Sequence, residues 1–218
     1  MTLAIFDLDN TLLGGDSDHA WGQFLVDQGI VDSKTYQETN DYFFEQYQNG
    51  GMDIFEFLAF ALKPLAEHSK QQLDAWHQQF MLQCINTMLL PKADKLLKKH
   101  RDQGDFLLII TATNLFVTGP IAKKLGVDDI LATNPEFIDG AYTGKVAGTP
   151  CFQEGKVERL KDWLAATGRS LEGSYFYSDS YNDLPLLEIV DYPVAVDADE
   201  RLSQYAKDNN WPHISLRK

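Results

Sequence analysis

Short apolar runs that each stop against acids or hydroxyls constrain this chain more than any other feature. Residues 3–8 form one such run and carry Asp7 and Asp9 at its end. Residues 106–110 read Phe-Leu-Leu-Ile-Ile and lead into Thr111-Ala112-Thr113-Asn114. Residues 174–177 lead into Ser178-Asp179-Ser180, and residues 193–196 into Asp197. Runs of this length fit strands buried on both faces, as in a parallel sheet, because a half-exposed strand would alternate apolar with polar residues. Helical patterns separate them over 92–103, 117–125, 155–167 and 201–207. Phe137, Ile138 and Tyr142 flank a hairpin turn at Asp139-Gly140. Alternating strands and helices predict an α/β doubly wound, Rossmann-like core with a mostly parallel sheet.

Residues 16–90 break that rhythm. Leu73, Trp76, Phe80, Cys84 and Met88 recur at helical spacing, as do Trp21, Phe24 and Leu25, and Phe43, Phe44 and Tyr47. Almost no strand pattern interrupts them, and Gly50-Gly51 reads as a break between helices. The prediction is a helical cap over 16–90, inserted into a core made of 1–15 and 91–218. Gly14-Gly15 is the candidate hinge, and the aromatic stripes are read as core of the cap.

The formal net charge of −13 argues against nucleic acid and against anionic membrane surfaces as partners. No apolar run reaches the length of a membrane span, and the first residues lack the basic segment of a signal peptide. Two cysteines, Cys84 and Cys151, make neither a disulfide framework nor a zinc cluster. A reducing cytoplasm is the expected location.

In an open parallel sheet, ligands bind beyond the carboxyl ends of the strands. Asp7 and Asp9, at i and i+2 where a strand ends, can reach one ligand as the chain curls away, although such a pair also suits a helix cap. Thr111 offers a hydroxyl, and the backbone after it N–H groups, to a phosphoryl oxygen. Lys156 follows Gly155 at a helix start, where a cation is unfavourable beside the dipole unless an anion sits there; an exposed lysine is the plainer reading. Asp179, Asn182 and Asp183 crowd oxygen donors after a strand, as a hard cation such as magnesium prefers, or else cap a turn.

The motifs DxDxT at 7–11, Thr111, Lys156 and DxxND at 179–183 resemble, in this order and strand context, the haloacid dehalogenase superfamily in its phosphoserine-phosphatase-like branch. The resemblance covers essentially the whole chain. It implies a phosphatase in which Asp7 attacks phosphorus to form an aspartyl-phosphate and Asp9 acts as acid and then base. It implies Mg2+ held by the Asp7 carboxylate, the Asp9 carbonyl and Asp179, with Asp183 in support, and phosphoryl oxygens held by Thr111, Lys156 and Asn182. In the superfamily's dehalogenases the second acid is absent, so Asp9 favours phosphoryl transfer. A phosphotransferase is an alternative. So is a non-catalytic phosphometabolite-binding module, which the intact Asp7, Asp9, Lys156 and Asp179 count against.

Residues 16–90 hold no arginine and set seven Asp and four Glu against three Lys, a formal charge of −8. A phosphoserine carboxylate calls for an arginine clamp, whereas an acidic cap suits a small phosphorylated metabolite with a cationic tail. The segment GDSDHAWG at 15–22 is similar to that of bacterial histidinol-phosphate phosphatases in this branch. Histidinol phosphate, with its ammonium and imidazole, is therefore the expected substrate, with phosphoserine or another small ester the alternative. Asp16 or Asp18 is expected to pair with the ammonium, and Trp21 or another cap aromatic to pack on the ring. His19 is a further specificity candidate, and the same stretch suits a helix N-cap. The sequence leaves the oligomeric state open.

Overall fold

The structure, a computed structural model, describes residues 2–217; Met1 and Lys218 lie outside the described residues. In chain order the strands are β1 (Leu3–Phe6), β2 (Phe106–Asn114), β3 (Asp129–Thr133), β4 (Pro135–Ile138), β5 (Ala141–Val146), β6 (Tyr175–Ser178), β7 (Tyr192–Val196) and β8 (His213–Ile214). β4 and β5 form the expected antiparallel hairpin. The others form one parallel sheet in the order β3-β2-β1-β6-β7-β8. The chain builds outward from β1 through β2 and β3, then returns to β6 on the other side. This doubly wound, Rossmann-like order puts the switch point between β1 and β6, where a ligand crevice opens.

All four residues of β1 are buried, which suits the centre of the sheet. Strand alternation sends Leu3 and Ile5 into one layer and Ala4 and Phe6 into the other. Helices α9 (Glu154–Thr167), α10 (Leu184–Leu187) and α11 (Glu200–Asp208) cover the first layer with Leu160, Leu186 and Leu202. Helices α7 (Pro91–Asp102) and α8 (Leu115–Leu125) cover the second with Leu97, Val117 and Ile121.

Two strands had no signal of their own. β3 starts directly after Asp128 and owes its place to β2: the Asp128 carboxylate accepts a hydrogen bond from the Leu107 N–H at 2.8 Å. β8 has only two residues. β2 also runs past Ile110 through the polar residues to Asn114, with a register shift against β3 between Ile110 and Asn114. That irregularity re-aims side chains at the strand's carboxyl end.

Six α-helices lie between β1 and α7: α1 (Ser17–Asp27), α2 (Ser33–Gln48), α3 (Ile54–Ala61), α4 (Lys63–Glu67), α5 (Lys70–Phe80) and α6 (Asn86–Met88). The chain enters and leaves this insertion through one neck, where Leu13 bridges Leu89 and the Gly14 N–H donates to the Met88 carbonyl at 2.8 Å. Helix α1 packs into the second layer, with Trp21 edge-on to Phe80 and Phe116 at 5.2 and 5.5 Å between ring centroids. Helix α2 approaches α1 at Gly22, where a Cβ would overlap the Asn40 amide; Asn40 Nδ2 donates to the His19 carbonyl at 3.0 Å. Among the described residues, no helix is long and apolar enough to cross a membrane.

Candidate active site

After Phe6 the chain leaves the sheet at its switch point. Asp7 and Asp9 are extended and Asn10 takes a left-handed conformation at φ 58°. Period-two alternation turns Leu8 into the core and both carboxylates into one cavity. The turn closes with the Leu13 N–H donating to the Leu8 carbonyl at 3.0 Å.

Asp7 is 3% exposed, and its Oδ1 accepts from Lys156 Nζ at 2.8 Å. Lys156 is 1% exposed and also reaches Asp183 at 2.7 Å, so one buried ammonium bridges two carboxylates. The exposed lysine of the plainer reading is thus overturned: the first turn of α9 points Lys156 inward. Gly155 permits this, since a Cβ there would overlap the Pro150 carbonyl. Burial alone would lower the Lys156 pKa, but Asp183 and Asp7 outweigh it and hold the ammonium above the ordinary lysine value. Burial pushes Asp7 up to about 7 against the pull of Lys156.

Asp9 is gripped on both oxygens. The Ser17 N–H donates to Oδ1 at 2.6 Å and the Thr113 hydroxyl to Oδ2 at 2.8 Å. Burial pushes its pKa up to about 7, and Asp16 adds to the rise. Thr111 is buried on the cavity wall, and its hydroxyl accepts from the Thr113 N–H at 3.3 Å. Thr11 joins the first loop to the fourth: its hydroxyl donates to Asp179 Oδ1 at 3.1 Å and accepts from the Asp179 N–H at 3.0 Å.

Asp183 is occupied by Lys156 and by the Ser178 hydroxyl at 2.7 Å, so it supports the lysine more directly than it offers a free oxygen. The Asn182 amide donates to the Tyr47 carbonyl of α2 at 3.2 Å and accepts from Gln153 at 3.2 Å. The bond to Tyr47 fastens the end of α2 to the loop that carries Asp179. Sequence reasoning missed Thr113 and Tyr47 as contributors.

Oxygen donors for a hard cation are present. Burial raises Asp179 well above the carboxylate range, and Asp7 and Asp183 add to it, so the cluster carries more negative charge than Lys156 alone balances. Asp7 Oδ2 and Asp179 Oδ2 have no hydrogen-bond partner among the described residues. No three His, Cys, Asp or Glu side chains among the described residues converge as a metal cluster would. Two carboxylates and the Asp9 carbonyl fit Mg2+, which keeps several ligands for water and phosphate.

The cavity is narrow and partly open to solvent. Asp7, Asp9, Asp16, Asp18 and Thr111 meet His19, Phe43, Phe44, Tyr47 and Phe57 there, and among the described residues no lysine or arginine lines it. Asp16 caps α1, accepting from the N–H groups of Asp18 and His19 at 2.9 and 2.8 Å. Burial pushes Asp16 and Asp18 upward, Asp18 strongly. His19 pairs with Asp41 at 2.8 Å and stacks on Phe44. Trp21 is not brought to the cavity: at 2% exposure it belongs to the apolar core beside Phe24 and Phe80. The stripe of Phe43, Phe44 and Tyr47, read from sequence as core, is what walls the cavity.

The model of the haloacid dehalogenase-like hydrolases matches residues 4–188. A histidinol-phosphatase of Neisseria meningitidis is 45% identical over 99% of both chains. A phosphoserine phosphatase of Mycobacterium tuberculosis is 29% identical over 95% of this chain and 68% of its own. A structure of a protein of unknown function from Bordetella pertussis superposes with a TM-score of 0.93 at 44% identity, covering 99% of this chain and 100% of that one. A phospho-aspartyl intermediate analogue of phosphoserine phosphatase shares the fold, with a TM-score of 0.72 at 18% identity over 100% and 93% of the two chains. With its motifs gathered at the switch point of this sheet, the chain belongs to the haloacid dehalogenase-like hydrolase family and is a phosphatase.

Proposed function

We propose that the protein hydrolyses histidinol phosphate through an aspartyl-phosphate on Asp7, with Mg2+ as cofactor. The observation that carries this reading is the pairing of Asp7 and Asp9 in one cavity, the first bound to a buried lysine and the second raised toward neutrality. The substrate rests on the Neisseria relative and on a cavity with four carboxylates and, among the described residues, no lysine or arginine. The absence of a guanidinium there weighs against phosphoserine, whose carboxylate needs a cation.

The Asp7 carboxylate attacks phosphorus while the alkoxide departs with the proton of Asp9. Asp9, now ionised, takes a proton from the water that hydrolyses the aspartyl-phosphate, and phosphate leaves. Two negative unit charges at 4 Å repel by about 4 kcal/mol at an effective dielectric near 20. Lys156 offsets this for Asp7 and for the phosphoryl oxygens, which Thr111 and Asn182 also serve. Mg2+, held by Asp7, the Asp9 carbonyl and Asp179, would supply further positive charge at the phosphoryl group. Splitting the reaction in two and donating a proton from Asp9 each lower the barrier, the latter by roughly 10²–10⁴-fold in rate. In this reading residues 16–90 act as a cap over a core of 1–15 and 91–218, closing the cavity to bulk water. A reducing cytoplasm suits the unpaired Cys84 and Cys151.

Phosphate release from histidinol phosphate, phosphoserine, sugar phosphates and nucleoside monophosphates, with Mg2+ and with a chelator, tests the reading. Strong Mg2+-dependent preference for histidinol phosphate is expected. Preference for another ester would discard the substrate, and turnover retained by Asp7→Asn would discard the covalent step.

A further inference from the structure

We propose that Asp18 selects the substrate by receiving its primary ammonium group, so that the esters this enzyme prefers are phosphomonoesters of amino alcohols with a flat or apolar tail. The inference rests on the phosphatase reading above and adds to it the residue and the chemical feature that set its choice. Histidinol phosphate is one member of this class.

The four carboxylates that line the cavity differ in what already holds them. Asp7 is paired with Lys156, Asp9 accepts from Ser17 and Thr113, and Asp16 is occupied in capping α1. The Asp18 carboxylate makes no hydrogen bond or ion pair among the described residues, yet it lines the cavity. It stands in the first turn of α1, where the backbone dipole favours an anion. An ionised, half-buried carboxylate without a partner is costly unless a ligand supplies the cation.

Among the described residues no lysine or arginine lines the cavity, and the His19 ring is bound to Asp41. The aromatic wall of Phe43, Phe44, Tyr47 and Phe57 suits the rest of such a molecule, since ring faces attract a cation and stack on a flat group. The interlock of Gly22 with Asn40 holds α1 against α2 and so fixes Asp18 relative to that wall. Asp16 and Asp18 were equivalent as sequence; the capping bonds distinguish them.

The test compares two esters: histidinol phosphate, and the imidazolylpropyl phosphate that lacks only its amine. The full chain with Mg2+ is assayed as wild type and as the isosteric Asp18→Asn. The readout is the ratio of kcat/KM for the two esters, in which any loss of folded protein cancels. We expect Asp18→Asn to lower that ratio by about ten- to a hundredfold, mainly through KM for the amine-bearing ester, as loss of a charge-assisted hydrogen bond implies. Turnover of both esters with an unchanged ratio would overturn the role of Asp18 and leave the phosphatase reading standing. Release of phosphate from neither ester by the wild type, but from phosphoserine, would overturn the substrate reading and the proposal together.

Discussion

Thr113 donates its hydroxyl to Oδ2 of Asp9 at 2.8 Å across 104 positions of chain. With the Ser17 N–H on the other oxygen, this bond holds the acid between β2 and α1. Thr113→Val keeps the side-chain shape and removes the bond. We expect kcat to fall roughly tenfold or more with KM nearly unchanged, since hydrogen bonds to charged groups contribute about 1.5–3 kcal/mol. Thr113→Ser should recover most of the rate. Steady-state kinetics on one ester checks this; a raised KM with unchanged kcat would assign Thr113 to binding.

Lys156 is the cation of a buried group with Asp7 and Asp183. Its removal leaves two carboxylates uncompensated. Lys156→Met should abolish turnover and cost about 3–5 kcal/mol of metal-free stability, the usual cost of breaking a buried pair. Denaturant unfolding with a chelator measures it. An unchanged midpoint would mean that the carboxylates relax into water.

Asp7 and Asp9 have folded-state pKa values pushed up to about 7, above an unfolded value near 4. In that window the folded protein binds more protons than the unfolded chain, so stability falls as pH rises from about 4 to 7. Metal-free protein should therefore melt lower at pH 8 than at pH 5.5. Added Mg2+ should raise Tm more at pH 8, because it competes with protons for the same oxygens. Thermal scans with chelator and with Mg2+ decide; an equal Mg2+ effect at both pH values would break the linkage.

Trp21 and Phe44 should behave oppositely. Trp21 is in the apolar core, whereas Phe44 walls the cavity. Trp21→Phe should lower stability by about 1 kcal/mol or more, roughly 2–4 °C in Tm for a chain of this size, with KM unchanged. Phe44→Leu should raise KM with a smaller change in Tm. A KM effect confined to Trp21→Phe would return the indole to the substrate.

Burial leaves Cys151 with a thiol pKa pushed up to about 11, and it is fully enclosed; Cys84 is half-buried. A thiol alkylating agent at pH 8 should modify Cys84 in the native protein and reach Cys151 only on unfolding. Peptide mapping reads the two sites separately.

The sequence alone determined the features that depend on neighbours along the chain. An apolar run can only be a doubly buried strand when its length and lack of alternation leave no wet face, so β1, β2, β6 and β7 were legible, and with them the doubly wound class. Asp7, Thr111, Lys156 and Asp179 were legible as site candidates because strand ends and helix starts in such a sheet converge on one crevice. What depends on distant partners was not. β3 exists because β2 offers it a ladder, and Trp21 and Phe44 share the same apolar pattern while differing in what covers them. Only the tertiary structure placed Thr113 on Asp9 and the Asn182 amide on the Tyr47 carbonyl. The N-cap of α1 was legible in the stretch, but the structure decided that Asp16 makes it and Asp18 is left without a partner among the described residues. The physical reason is that periodicity reports burial, whereas the identity of a hydrogen-bond or ion-pair partner is decided by chain segments brought together from far apart in sequence.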